Sequence, residues 1–314
     1  MKTFVKIIDL MKKINIVIGD PINHSLSPLI HNEWYRMLGI SDEYTFHKQQ
    51  VKPQNLKSFL LAKKYNGLAI TIPHKQSSIE HMDNTSEISK VVGSINTVTF
   101  RNGKLFGDNT DWYGTFKPLY DLDIDFRGKK LALIGAGGAA RGMYFACLLL
   151  GFNITIFNRT ITKAQEVVSD ISSNLQGENK LFYEVQKILK IMNIDDFSLN
   201  KDLITTANTK VLALSEIDKK DDYDVIINST SIGMQASDKS LIPETIISKD
   251  QIIFDAVYGA HRTKLQAQSE KVGLTFINGL SMLIYQATLQ FYLHTERLVL
   301  EHQIEKVFEK IRRR

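Results

Sequence analysis

An α/β fold of two domains is predicted by three observations. Strands and helices alternate along the chain, the alternation restarts near Leu122 with a compact strand–turn–helix–strand unit, and 314 residues exceed the usual size of one hydrophobic core. Hydrophobic residues make up 43% of the sequence and charged residues 23%, an ordinary globular balance that argues against disorder or a fibrous repeat.

In chain order, "INIVIG" reads as a strand, "LSPLIHNEWYRML" as a helix opened by Ser27 and Pro28, and "NGLAITIP" as a second strand. That alternation predicts a parallel sheet. The run "KKLALIGAGGAARGMYFACLLLGFNITIFNRT" has the length and order of one βαβ unit. Further strands are expected at "DVIINST", "QIIFDAVY" and "LTFING", each ending in the small or polar residues that α/β sheets place at ligand sites. From Gly279 to Arg314 the apolar spacing is helical. Between about Ser172 and Lys220 the sequence turns polar and weakly patterned, which predicts exposed turns around one or two short helices.

The longest apolar stretches fall short of a membrane span. The first residues, "MKTFVKIIDLMKK", carry charges through their apolar part, unlike a secretory signal, and read as an extension that precedes an alternative start at Met11. The lone Cys147 lies in an apolar helical stretch, which excludes an intrachain disulfide and points to a buried thiol and a cytoplasmic location. The net charge of +5 is scattered rather than clustered, so anionic small molecules fit it better than nucleic acid, and neither nucleic acid nor membrane is expected as a partner.

Within "LIGAGGAARG", Gly135, Gly137 and Ala140 match the G-x-G-x-x-A spacing directly after a strand and at the start of a helix. The first glycine permits a tight turn, and the second lets backbone amides approach a pyrophosphate at the positive end of the helix. About 20 residues on, where an NAD site presents a carboxylate, the sequence offers Asn158, Arg159 and Thr160 instead. An amide, a guanidinium fork and a hydroxyl favour a 2′-phosphate, and hence NADP over NAD.

Other polar residues stand at the ends of expected strands. Ser25 and Ser27 flank a strand-to-helix turn where two hydroxyls and helix amides could hold a carboxylate, although Ser27 as a plain N-cap explains the pattern equally well. Asn96 in "VVGSINTVTF" and Asp111 in "LFGDNTDWYG" sit in turn-like surroundings. Lys75 follows Ile70, Thr71, Ile72 and Pro73 where a parallel strand opens toward a cleft, and snorkelling is the competing reading. His24, His31 and His74 lack the spacing of a metal site, and no nucleophile elbow supports a hydrolytic triad.

Taken in order, "HSLSP", "AITIPHK", "GSINTV", "GDNTDWYG", "GAGGAARG", "NRT", "INSTSIGM", "DAVY" and "NGLSMLIYQ" resemble the shikimate dehydrogenase family, including its quinate/shikimate dehydrogenase relatives, from about Ile16 to about Gln290. The resemblance implies an open α/β substrate-binding domain, residues 1–121 and 280–314, joined to a Rossmann-like NADP-binding domain, residues 122–279, with a cleft between. It implies a catalytic role for Lys75 with Asp111 as its carboxylate partner. Ser25 and Ser27, assisted by Tyr258, match the substrate-carboxylate site, and Thr71, Asn96 and Gln286 the groups that hold ring hydroxyls. Gly135, Ala136, Gly137, Gly138 and Ala139 match the phosphate turn, Asn158, Arg159 and Thr160 the 2′-phosphate site, and Thr230, Met234 and Gly279 positions near the nicotinamide. The implied reaction is reversible, NADP-dependent reduction of 3-dehydroshikimate to shikimate in aromatic amino acid biosynthesis, by a monomer or homodimer. A quinate/shikimate dehydrogenase of broader cofactor use and a non-catalytic NADP-binding regulator are the alternatives. Asn278 and Ser281 depart from the family's "DGLGML" pattern, which puts the nicotinamide end of the cleft in question.

Overall fold

The computed structural model describes residues 12–175, 179–205, 208–218, 222–259 and 262–313, so the reading of the amino-terminal extension lies outside the described residues. Two six-stranded sheets organise the chain.

The first sheet is built from β1 (Lys13–Gly19), β2 (Tyr44–Gln50), β3 (Gly67–Ile70), β4 (Asn84–Thr85), β5 (Thr97–Arg101) and β6 (Lys104–Asp108), in the order β2-β1-β3-β5-β6-β4. Its helices are α1 (Ser27–Met37), α2 (Leu56–Leu61), α3 (Glu87–Val92) and α4 (Asp111–Tyr120). β1 pairs in parallel with β2 and β3, as the alternating pattern predicts, but β5 runs antiparallel to both β3 and β6. The parallel reading therefore holds for only part of this sheet. The β5–β6 reversal comes from Asn102 and Gly103, whose φ values of 50° and 76° make the left-handed two-residue turn that Asn-Gly favours between strands.

The second sheet contains β7 (Lys130–Ile134), β8 (Asn153–Asn158), β9 (Thr209–Ala213), β10 (Val225–Asn228), β11 (Ile252–Asp255) and β12 (Thr275–Asn278). The helices α5 (Gly138–Leu149), α6 (Ile161–Leu175), α7 (Asn179–Ile191), α8 (Lys201–Thr205) and α9 (Lys264–Val272) are interleaved with these strands. Every strand pair is parallel and the order is β12-β11-β10-β7-β8-β9, two three-stranded halves wound outward from β7 and β10. Strands buried on both faces explain why β7, β10 and β11 are nearly continuous apolar runs. Order reverses between β7 and β10, the place where such sheets open a crevice at their carboxyl ends.

α10 (Gly279–Thr295) leaves β12 of the second sheet and packs against α4 of the first, and α11 (Glu301–Arg312) follows it. α10 is apolar almost all round because it is covered on nearly every side, the pattern of a buried helix. Trp34, Tyr35 and Phe46 pack with Ile284, Ala287 and Phe291 of α10, while Trp112, Phe116 and Phe145 continue into the core beneath the second sheet.

The polar stretch from 172 to 220 holds more than short helices and turns. α7 is thirteen residues long and buries Leu181, Phe182, Val185 and Leu189 along one stripe, and β9 closes the edge of the second sheet. The Glu184 carboxylate accepts hydrogen bonds from the backbone amides of Glu87, at 3.0 Å, and Ile88, at 3.4 Å, so α7 grips the start of α3 across the molecule. Arg141 of α5, 5% exposed, adds a bond to the Val92 carbonyl at 3.2 Å and an ion pair with Asp170 at 2.6 Å. Cys147 is fully buried and burial pushes its thiol pKa up, so it is an inert core residue.

Candidate active site

A partly open cavity lies between the two sheets. One wall carries Ser25, Ser27, Thr71, Lys75, Asn96 and Asp111, and the other carries Ala139, Thr230, Met234, Tyr258 and Gly279, with Gln286 of α10 between them.

Lys75 follows β3, and Asp111 is the first residue of α4. The Lys75 Nζ donates to Asp111 Oδ2 at 2.5 Å, with the two side chains 12% and 4% exposed, so the amine is paired and not snorkelling to solvent. Asp111 begins a helix and does not merely cap a turn, and its negative charge sits at the positive end of α4. Asn96 Nδ2 donates to the other carboxylate oxygen at 2.9 Å, and also lies 2.9 Å from Thr110 Oγ1 and 3.1 Å from Gln286 Oε1. Asn96 Oδ1 in turn accepts from the Thr110 amide at 2.8 Å. A buried carboxylate with a cation on one oxygen and an amide on the other has its charge compensated on both sides.

Ser25 and Ser27 lie 3.3 Å apart through their hydroxyls, and the Ser27 amide donates to Ser25 Oγ at 3.3 Å. The N-cap position of α1 falls to Leu26, which makes no side-chain cap bond, and the two serines, bonded to each other, line the cavity wall. Tyr258 follows a turn pinned by Asp255, whose buried carboxylate accepts from Asn228 Nδ2 at 3.0 Å, the Val257 amide at 3.1 Å and Thr263 Oγ1 at 2.8 Å. Burial raises the Tyr258 pKa to about 12, keeping the phenol protonated and able to donate.

On the second sheet, Gly135 has φ of 112°, and a Cβ built there would lie 2.5 Å from Ser229 Oγ, so a glycine is required at the first turn. Gly137 is the N-cap of α5, carries no side-chain cap bond, and has open space where a Cβ would point. The first amides of α5 therefore face an open cradle, the arrangement a pyrophosphate fits. Gly135, Ala136, Gly137 and Gly138 lie outside the cavity wall along the carboxyl edge of the sheet. So do Asn158, Arg159 and Thr160, where the Asn158 amide bonds the Thr160 carbonyl at 2.8 Å and the Arg159 and Thr160 side chains are exposed. Asn158, Arg159 and Thr160 themselves include no carboxylate to oppose a 2′-phosphate, so these residues fit NADP. Among the described residues, no group of three or more His, Cys, Asp or Glu side chains could hold a metal ion, and no helix is long and apolar enough to cross a membrane.

The family described as "Shikimate dehydrogenase substrate binding domain" matches residues 17–98. A shikimate dehydrogenase (NADP(+)) of Caldanaerobacter subterraneus subsp. tengcongensis is 32% identical over 310 residues, covering 97% of this chain and 98% of the relative. The chain belongs to the shikimate dehydrogenase family. A second shikimate dehydrogenase (NADP(+)), from Alkaliphilus metalliredigens, is 35% identical over 288 residues, covering 89% of this chain and 90% of its own. The crystal structure of the Thermus thermophilus shikimate 5-dehydrogenase, in complex with NADP(H) and shikimate, superposes with a TM-score of 0.75 at 25% identity, covering 95% and 99% of the two chains.

Asn278 and Ser281, which depart from the family's common pattern, are both accommodated by the turn into α10. Asn278 caps α10 through its side-chain oxygen, which accepts from the Ser281 amide at 3.1 Å. Gly279 stays where nothing larger fits, since a Cβ would sit 2.1 Å from the Ala256 carbonyl oxygen. The cavity also takes in Ser229, Ser231 and Gln290, which motif reading did not single out, and His24 and Ile72, to which it gave no site role. Gln290 had a readable signal: it lies one helical turn beyond Gln286 on the same face of α10.

Proposed function

We propose that the protein is an NADP-dependent shikimate dehydrogenase that interconverts 3-dehydroshikimate and shikimate, with Lys75 as the acid/base. The observation that carries this reading is the Lys75–Asp111 pair, 2.5 Å apart in a cavity wall that faces the coenzyme half of the molecule. NADPH, when bound, supplies the hydride. Lys75, as an ammonium, stabilises the oxygen as negative charge develops on it and gives up one proton to it, leaving a neutral amine that regains its proton from solvent. Asp111 orients that amine, and with Asn96, Thr71 and Gln286 it holds the ring hydroxyls. Ser25, Ser27 and the Tyr258 phenol take the carboxylate, and their neutral donors suit an anion without a full counter-charge. The amides at Gly137 and Gly138 hold the pyrophosphate, with Ala136 and Ala139 beside them, and Thr230, Met234 and Gly279 border the nicotinamide.

The functional units in this reading are residues 1–121 with 280–314 for the substrate and 122–279 for the coenzyme. A reducing, cytoplasmic setting and a monomer or homodimer accompany it. Asn158, Arg159 and Thr160 form the 2′-phosphate site. Arg159→Ala is expected to raise the NADPH KM about tenfold, the loss of one charge-assisted contact, while leaving the NADH KM unchanged. Equal KM shifts for the two coenzymes would remove Arg159 from the 2′-phosphate site. Steady-state rates with shikimate and quinate against NADP+ and NAD+ test the whole reading, because it expects the highest kcat/KM for the shikimate–NADP+ pair. No absorbance change with any of the four pairs would refute it.

A further inference from the structure

Three hydrogen-bonded links connect the start of α5 to the amide of Asp111, and motif reading assigned none of them. Ser94 is fully buried, and its hydroxyl donates to the Gly138 carbonyl at 3.3 Å. The same hydroxyl accepts from Asn109 Nδ2 at 3.0 Å, and that amide also donates to the Ser94 carbonyl at 2.9 Å. Asn109, 3% exposed, then accepts the Asp111 backbone amide on its Oδ1 at 3.0 Å. The direction of every bond is fixed. The Asn109 amide must point its nitrogen at Ser94 and its oxygen at Asp111, which leaves the serine proton one free acceptor, the Gly138 carbonyl.

Packing closes the same gap. A Cβ on Gly142 would lie 2.8 Å from the Asp111 Cβ, and a Cβ on Gly138 3.1 Å from the Lys75 Cβ. The first two turns of α5 thus rest directly on both members of the pair. Ser94 also adjoins Ile95, whose amide donates to the Lys75 carbonyl at 2.8 Å. Buried, fully directed hydrogen bonds with no slack in the packing around them pass a displacement on instead of absorbing it.

We propose that Ser94 and Asn109 are positioning residues that couple occupancy of the phosphate turn to the placement of Asp111 and, through it, Lys75. This rests on the reading of the Gly137–Gly138 turn as the pyrophosphate site. Binding there draws on the first amides of α5, and the Gly138 carbonyl is the point where α5 meets the relay. The coenzyme and the substrate then strengthen each other's binding through the protein, and not only through contact between nicotinamide and ring. Such coupling is reciprocal, so each ligand changes the other's Kd by the same factor.

The test uses ADP-ribose 2′-phosphate, which keeps the pyrophosphate and the 2′-phosphate but has no nicotinamide to touch the substrate. Calorimetric titration of the full chain with shikimate, with and without saturating ADP-ribose 2′-phosphate, is expected to show at least about a fivefold tightening, the lower end of ordinary coupling. In Ser94→Ala and in Asn109→Ser the factor should fall to within about twofold of one, with the Kd of ADP-ribose 2′-phosphate alone changed less than about twofold. Ser94→Cys, close in size but a weak donor, should give an intermediate factor and covers the case in which a more disruptive variant fails to fold. Wild-type protein with a factor of one, or variants that keep the full factor, would overturn the relay while leaving the dehydrogenase reading intact. Wild-type protein that binds neither shikimate nor ADP-ribose 2′-phosphate would overturn that reading and the relay with it.

Discussion

Lys75→Ala is expected to lower kcat for 3-dehydroshikimate reduction by about a thousandfold, the middle of the range for removing a general acid. Lys75 borders the cavity, whereas Asn158, Arg159 and Thr160 lie outside its wall, so the Kd for NADP+ from fluorescence titration should stay within about twofold. Substrate affinity should fall less than turnover, because the amine does most of its stabilising once charge has developed on the oxygen. The alanine variant leaves Asp111 buried, with Asn96 on one oxygen and nothing on the other, so some loss of stability is expected as well. Asp111→Asn separates the two effects. It keeps the shape and the Asn96 contact region, and it should cost kcat with a smaller change in Tm. A Lys75→Ala variant within tenfold of the wild-type kcat would remove the lysine from the chemistry.

The second large effect is on stability in mild acid. His31 is fully buried, stacked on Phe46 at 4.2 Å between ring centroids, and its Nε2 lies 3.2 Å from Gln290 Oε1. His294, whose Nε2 meets the Val98 carbonyl at 3.2 Å, stands 6.4 Å away, and neither Nδ1 has a hydrogen-bond partner. Burial lowers the pKa of both rings. It drives His31 well below its usual value, with His294 adding to the effect, and brings His294 down to about 4. Both are therefore neutral in the native state while the unfolded chain takes up protons near 6.5. Stability is complete above that pH and falls as the pH drops from about 6.5 toward 4, with a slope approaching about 1.4 kcal/mol per pH unit for each histidine.

Buried carboxylates push the other way. Burial raises the pKa values of Glu184, Asp108 and Asp255, so these groups take up protons more readily in the folded state and offset part of the loss. Urea unfolding at pH 7, 6 and 5 should show the histidine effect most clearly as a difference between proteins, with His294→Gln flattening the curve relative to wild type. Parallel curves for the two proteins would contradict it.

Much of the candidate site is legible because its residues stand at strand ends. Lys75, Asn96 and Asp111 each follow or flank a strand, and Gly135 and Gly137 obey a spacing that backbone geometry imposes. The second sheet was legible for a related reason, since strands buried on both faces are apolar throughout. What escaped reading depends on tertiary partners. β2 and β9 are edge strands with polar, half-exposed patterns that no period-2 rule separates from loop. The β5–β6 reversal did carry a local sign, the Asn102-Gly103 pair, which went unused. α7 is longer than the short helices expected there, because its buried stripe of Leu181, Phe182, Val185 and Leu189 is diluted in the sequence by Lys180, Gln186, Lys187 and Lys190. Ser94 and Asn109 carry no signal of their own in the sequence, since the partner that gives one of them meaning is a carbonyl 44 positions away.

The seventeen residues of α10, a rod of about 25 Å, begin against the Ala256 carbonyl of one sheet, line the cavity with Gln286 and end with His294 beneath the other. That makes the helix a ruler shared by both halves, and it bears on how the molecule can be recombined. A hybrid enzyme spliced from two relatives would have to inherit α10 from a single parent, together with the Gly67 and Val98 strands that receive its far end. A crossover placed inside it would misalign Gln286 with Asn96 even if each sheet folded correctly on its own.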